Sequence, residues 1–472
     1  MVNQIEIEKL LCVEILEKIS RMQRFLLSEP DDSRRRGAEV IGIFRKALDG
    51  ILDNLTPYIV RLSKAVELST LEKVAIIRRL SDIFNSIDEL HAQLQFIYGT
   101  WVKPETHIFI DNILEFVPEN RRPGKVNVVL SNTYSFEESD LSSYFEYILS
   151  TTNIPVDFQS ESPTVFLPKI ERDNSLNWAI LAHECGHVNY KDISDVLYSL
   201  GIIPTQIDPN AENVIRRWAE EIYCDLLATQ ILGPAYLASF AMFALLVAGA
   251  GGSEIISKTH PADIVRVCII YEVLQKKNLK VVMSKSICDC DDMASFFYTV
   301  LEDRTKLDRK YIYRTMQQPQ LPLIWQDFVD AICEQVDSVV PLDHQLKSDD
   351  FNRITKLSER LSKGILIGSY RDSSSEDLIK KYPLNERSNV QKLSDAKKAV
   401  QESRTLSWEI INAGWLHKIE HVYPEAFNLF FSSSTDSLIE KIREWGQQLE
   451  SIDRLLLKSM ESSEIQRLME EL

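Results

Sequence analysis

The sequence predicts a mainly α-helical chain with a small sheet, an α+β arrangement in which helical N- and C-terminal regions flank a mixed centre. Three observations predict it. Apolar residues recur at steps of three and four through the first and last parts of the chain. A short β-branched run, introduced by a turn signal, interrupts this pattern between residues 120 and 170. The centre then returns to helix-length apolar segments, one of which encloses two histidines four positions apart.

From the N-terminus, Ile5, Leu10, Ile15, Leu16, Ile19, Met22 and Leu26 form one apolar stripe. Ser69-Thr70-Leu71-Glu72 has the form of a capping box, in which the serine and glutamate side chains each satisfy the other's backbone N–H. The helix it opens carries Ile76, Leu80, Ile83, Ile87, Leu90, Leu94 and Ile97 in a heptad-like seam, which fits an intramolecular bundle and leaves an oligomer open. Asn120-Arg121-Arg122-Pro123-Gly124-Lys125 is a turn signal; Val126, Val128, Val129 and Leu130 follow as a strand, and Val165 to Leu167 supply another. Ala235 to Ala250 is apolar but shorter than the roughly 20 residues a membrane span needs, so it reads as a buried helix behind the histidine helix. Beyond residue 280 the texture is helical again. Tyr370 to Asp395 reads as a loop, and Leu438, Ile442, Trp445, Leu449, Ile452 and Leu456 make a last stripe. The divisions are 1–118, 119–275 and 276–472.

Composition narrows the function. The 472 residues carry a formal charge of −17, which disfavours nucleic acid as a partner because phosphate binding needs a basic surface. Arg34-Arg35-Arg36 sits in a loop-like segment and reads as solvated. Seven widely spread cysteines point to a reducing compartment rather than a disulfide framework, and the acidic start Met1-Val2-Asn3-Gln4-Ile5-Glu6 lacks a secretory leader's pattern. The expected location is the cytoplasm, with no membrane span.

The chemistry lies in His183-Glu184-Cys185-Gly186-His187. Residues four apart stack on one helix face, so His183 and His187 can share one Zn²⁺, with Glu184 beside it as a base. A catalytic zinc takes three protein ligands and keeps an open position. Glu221 and Asp225, again four apart, follow in Trp218-Ala219-Glu220-Glu221-Ile222-Tyr223-Cys224-Asp225. Glu221 is the preferred third ligand because it shares a face with Asp225. Glu220, about 100° around the helix, competes with it. Asp225 could then hold a ligand histidine through its second nitrogen. A solvated acidic face is the plainer reading of this pair, as is burial of two satisfied histidines for the first motif.

The stretch Ile180 to Val188 resembles the A-H-E-x-G-H-[VI] helix of gluzincin metallopeptidases, and most of all the group containing the CAAX prenyl endopeptidases and the bacterial heat-shock membrane protease. Glu221 and Asp225 match that group's E-x-x-x-D motif. Thr259-His260-Pro261 with Arg266 matches its H-P turn and following arginine. Thr164 to Pro168 resembles its edge strand. The resemblance spans roughly residues 155 to 275 and departs from the group in lacking transmembrane helices. It implies a zincin-like core, a histidine at 260 near the metal, and a cleft where substrate pairs with Val165, Phe166 and Leu167. Read without it, His260 precedes a helix start with Pro261 in the first turn, and Arg266 pairs with Asp263.

Two further patterns carry metal-ligand residue types. His417-Lys418-Ile419-Glu420-His421 is the inverted H-x-x-E-H form and reads as a pair of helix histidines, with a second metal left open. Cys288-Asp289-Cys290 is a C-x-C pair that reads as free thiols, with metal binding left open, and Cys185 reads as a packing residue. The functional expectation is a zinc endopeptidase with one Zn²⁺ per chain. His183, His187 and Glu221 are its ligands, Glu184 and His260 its catalytic residues, and Asp225 and Arg266 stand behind the ligands. Its substrate is a protein or peptide. The alternative is a catalytically silent zinc-binding scaffold. Helical flanks also leave room for a regulatory partner and for latency.

Overall fold

Helices dominate the computed structural model, which describes residues 7–28, 51–53, 55–63, 69, 72, 74–84, 103–118, 122, 126–131, 136–139, 163–204, 206, 208–248, 259–284, 290–306, 325–341, 345–364, 405–431 and 437–471. Arg34-Arg35-Arg36, most of the turn at 120–125, the seam beyond Ile83, Cys288 and the loop at 370–395 lie outside these residues.

In chain order the labelled elements are α1 (Ile7–Ser28), α2 (Pro104–Leu114), β1 (Asn127–Ser131), β2 (Glu137–Ser139), β3 (Thr164–Pro168), α3 (Leu181–Asn189), α4 (Ser194–Ser199) and α5 (Pro209–Leu232). They continue with α6 (Pro234–Ala248), α7 (Asp263–Lys276), α8 (Met293–Lys306), α9 (Trp325–Val339), α10 (Ile354–Ser362), α11 (Ser407–His417), α12 (Tyr423–Phe431) and α13 (Leu438–Glu471). A π-helical turn, Lys418–Val422, joins α11 to α12. The box at Ser69 closes: the Ser69 N–H and hydroxyl donate to Glu72, and the Glu72 N–H returns to the Ser69 hydroxyl at 3.4 Å.

The small sheet has the order β1-β3-β2. β3 pairs in parallel with β1 and antiparallel with β2, so its backbone is partnered on both flanks from Thr164 to Phe166. Val165 and Phe166 therefore lie in the middle of the sheet, which corrects their reading as part of an edge strand, and Leu167 pairs with Leu130 of β1. A strand whose N–H and C=O groups are already bonded on both sides has none left for an incoming peptide, and all three side chains are buried. Among the described residues, β2 is the edge strand that packs on α3.

The flanks and the centre share one buried cluster. α1 packs on α12 and α13, and α11 packs on α5 and α6. α1 departs from a one-sided stripe. Leu10, Ile15, Leu16 and Ile19 are buried, and so are Glu14, Glu17, Lys18 and Arg21. Burying those charges requires partners. Lys18 pairs with Glu171, Arg21 with Glu17 and Asp453, and Lys418 with Glu14 at 2.8 Å and Glu17 at 3.0 Å. α1 is therefore buried on more than its apolar stripe.

Two local devices place the central helices. Gly186 lets α3 lie directly against α5, since a Cβ there would sit 2.9 Å from the Cys224 Cα. Gly233, with φ 61°, ends α5 in a conformation glycine favours, and Pro234 opens α6 at once. Asn412 of α11 stitches this corner, donating to the Leu232 carbonyl at 2.7 Å and accepting from the Ala235 N–H at 3.1 Å. The chain thus doubles back, and α6 is buried along its length from Ala235 to Leu246 except at the half-buried Phe243. Among the described residues, no helix is long and apolar enough to cross a membrane.

Candidate metal centre

Three side chains from two helices converge. His183 and His187 come from successive turns of α3, and Glu221 from the middle of α5. His183 Nε2 lies 3.1 Å from His187 Nε2 and 3.3 Å from Glu221 Oε2, and His187 Nε2 lies 3.7 Å from Glu221 Oε1. Their donor atoms all fall within 4.8 Å of one another. Ligands at zinc distances of about 2.0–2.1 Å in a tetrahedron are separated by roughly 3.3–3.4 Å, so these separations suit such an ion.

The outer nitrogens argue in the same direction. His183 Nδ1 is 2.9 Å from Asp225 Oδ1, and His187 Nδ1 is 3.0 Å from Glu220 Oε1. A carboxylate accepts and cannot donate, so each Nδ1 carries the hydrogen and each neutral ring turns an Nε2 lone pair inward. Two lone pairs and a carboxylate then face one another with no hydrogen among them. A cation at that point, or a proton in its place, relieves the repulsion. Without metal, burial works against the charge on His183, yet its hydrogen bonds to the Asp225 and Glu221 carboxylates prevail and push its pKa up to about 10. Burial likewise opposes the charge on Glu221, but hydrogen bonds from His183 and His260 and the nearby Arg266 hold its carboxyl well below the usual range.

Behind these donors sits Asp225. Arg266 donates to it twice, from Nε and Nη2, each at 2.7 Å, and the Tyr236 hydroxyl donates to the same carboxylate. Despite the cost of burial, the Arg266 charge and hydrogen bonds lower the Asp225 pKa to about 2. Arg266 Nη1 also lies 3.5 Å from Glu221 Oε2. The guanidinium thus reaches across from α7 to α5.

The other sequence-selected residues fall as follows. Glu184 is 6% exposed, and among the described residues no hydrogen bond engages its carboxylate. Burial raises its pKa, with His183 and His187 pulling the other way. His260, half exposed, has Nε2 3.2 Å from Glu221 Oε1 and lies outside the three-donor group. α7 begins at Asp263 with Ala262 as its N-cap, so Pro261 precedes the helix rather than entering its first turn. Glu220 orients His187 instead of joining the donors. Cys185 is buried, and that burial pushes its thiol pKa up, as befits a packing residue. His417 and His421 face each other with ring centroids 5.0 Å apart, and no third ligand joins them among the described residues. Tyr236 and Phe240 were missed by the sequence reading. The available signal was a tyrosine in an otherwise apolar helix, whose buried hydroxyl must find a partner.

The chain matches no protein-family model, no curated protein and no solved structure. It stands as a mainly helical protein with a buried His183–His187–Glu221 cluster close enough to hold a metal ion.

Proposed function

We propose that the chain is a zinc-dependent endopeptidase in which Glu184 is the general base. The observation that carries this reading is the position of Glu184. It follows His183 directly in sequence, feels the charge of His183, His187 and Glu221, and has a carboxylate that no hydrogen bond occupies among the described residues. A purely structural metal has no use for a buried carboxylate left free beside it. Two histidines and a glutamate also form the donor set of known zinc peptidases, with a position left open.

Zn²⁺, when bound, supplies the Lewis acidity that makes hydroxide available near neutral pH. Glu184 takes the proton from the attacking water, its basicity raised by burial, and hands it to the leaving amine. Glu220 and Asp225 keep both imidazoles in the tautomer that turns Nε2 inward. His260, at the exposed side of Glu221, is placed to donate to the oxyanion as the carbonyl is attacked. Among the described residues, β2 (Glu137–Ser139), rather than β3, is the edge beside α3 to which a peptide would pair.

The test is digestion of a denatured-protein or peptide-library substrate by wild type and by Glu184→Gln, with metal content measured in parallel. Cleavage by wild type and its loss in the variant at unchanged metal content support the proposal. Full activity in Glu184→Gln overturns it. Stoichiometric metal with no cleavage of any substrate leaves a metal-binding scaffold.

A further inference from the structure

The donors and Asp225 do not exhaust the polar contacts around the centre. Tyr236 and Phe240 lie one turn apart on α6, with rings stacked at 6.0 Å and 17°. The Tyr236 hydroxyl donates to Asp225 Oδ1 and lies 3.4 Å from His183 Nδ1. The Phe240 ring covers the Arg266 guanidinium, whose Cζ is 4.5 Å from the ring centroid. Arg266 in turn grips Asp225 and approaches Glu221.

We propose that Tyr236 and Phe240 are positioning residues: a brace on α6 that fixes Asp225 and Arg266, and through them the aim of His183 and Glu221 at the metal. This inference rests on the metal-binding part of the reading above but not on catalysis. A helix needed only to fill the core would gain nothing from a hydroxyl aimed at a carboxylate or from a ring face laid on a guanidinium. Both features sit on α6, the helix that packs against both α5 and α7. The two contacts complement each other. Tyr236 donates to the same Asp225 oxygen that accepts from His183 Nδ1 and Arg266 Nη2, and so holds that carboxylate against rotation away from His183. Phe240 flanks a buried arginine, where cation–π attraction is strongest, and so limits the tilt of its planar fork.

The experiment is Zn²⁺ affinity, measured by competition with a chromophoric chelator, and the visible spectrum of the Co²⁺-loaded protein. Four proteins are compared: wild type, Tyr236→Phe, Phe240→Leu and Phe297→Leu. Phe297 is a buried aromatic that meets Phe296 and Trp415 instead of Arg266. Outer-layer partners of metal ligands are typically worth about 10–100-fold in affinity. Tyr236→Phe and Phe240→Leu are expected to weaken Zn²⁺ binding by roughly tenfold and to alter the Co²⁺ spectrum, with Phe297→Leu unchanged in both. Unchanged affinity in Tyr236→Phe and Phe240→Leu overturns the brace, as does equal weakening in Phe297→Leu, which would mark a general packing effect. If Phe240→Leu does not fold, Tyr236→Phe, which removes a single oxygen, decides alone. A wild type that binds no Zn²⁺ overturns the metal centre and this inference with it.

Discussion

Gly186 of α3 meets the backbone of Cys224 of α5 so closely that an added methyl group would lie 2.9 Å from both the Cys224 Cα and Cβ. This contact sets the distance between the helix that carries both histidines and the helix that carries Glu221. Gly186→Ala is therefore expected to push α3 and α5 apart. Overpacking of this kind costs about 1–3 kcal/mol. Because the donors straddle the contact, the variant should lose metal affinity as well as stability. Denaturant unfolding and metal titration on one preparation check both; unchanged metal affinity would detach the glycine from the site.

Removal of either helix's donor should abolish stoichiometric metal. His183→Ala and Glu221→Ala are each expected to purify with little or none, against one ion per wild-type chain, as measured by elemental analysis. Ligand bound only to the folded state adds stability that reaches about 4 kcal/mol at a thousandfold excess over Kd. Chelation should thus lower the wild-type melting temperature and leave the two variants where they are.

Asp225→Asn keeps the shape of the side chain but removes the charge that Arg266 faces. A buried ion pair that loses one member costs about 3–5 kcal/mol, because the remaining charge stays uncompensated. The amide can also present its NH₂ to His183 and reverse the imidazole tautomer. A large fall in stability together with lost metal binding is expected, from chemical denaturation and metal analysis. Retention of both would show that Asp225 is replaceable.

Lys18 and Glu171 form a fully buried pair between α1 and the short turn after β3. Lys18→Met should destabilise by about 3–5 kcal/mol, since Glu171, which also accepts from Asn174, would lose the charge of Lys18. The double variant Lys18→Met/Glu171→Gln should recover much of that loss, the two sites being coupled. A double-mutant cycle from denaturant curves measures the coupling, and simple additivity would refute it.

His417 gives the fold an acid-sensitive point away from the metal centre. Burial, aided by the charge of His421, lowers its pKa from 6.5 to about 4. The unfolded chain thus binds a proton between pH 6.5 and 4 that the folded chain refuses, so the stabilisation is complete above pH 6.5 and is lost as pH falls towards 4. At about 1.4 kcal/mol per unit, the gap amounts to roughly 3 kcal/mol. His417→Gln is expected to flatten this part of the stability–pH curve. An unchanged slope would assign the acid sensitivity to other groups.

Legibility in the sequence followed the range of the interaction. His183 and His187 could be paired from their spacing alone, because a helix fixes which residues share a face over a single turn. Preferring Glu221 to Glu220 used the same rule within α5, and the structure sets Glu221 among the donors. The role of Glu220 was not legible, because which imidazole it meets depends on how α5 crosses α3. The central position of β3 was hidden for a related reason. A five-residue apolar run looks the same at the edge of a sheet as in its middle. The apolar stripe of α1 was legible and is buried, but the burial of its charged residues was not, because they find partners far along the chain, 153 residues away for Lys18 and 432 for Arg21.

By itself the sequence determined the helical character of the chain, the apolar segments that become its core, and the pair of motifs bearing metal donors. All of these are set by local periodicity and side-chain chemistry. Tertiary structure alone decided that α3 and α5 meet at Gly186, that β3 is the middle strand of its sheet, and that α6 turns Tyr236 and Phe240 towards Asp225 and Arg266. Those outcomes depend on contacts between elements distant in the chain, whose energies no single segment carries.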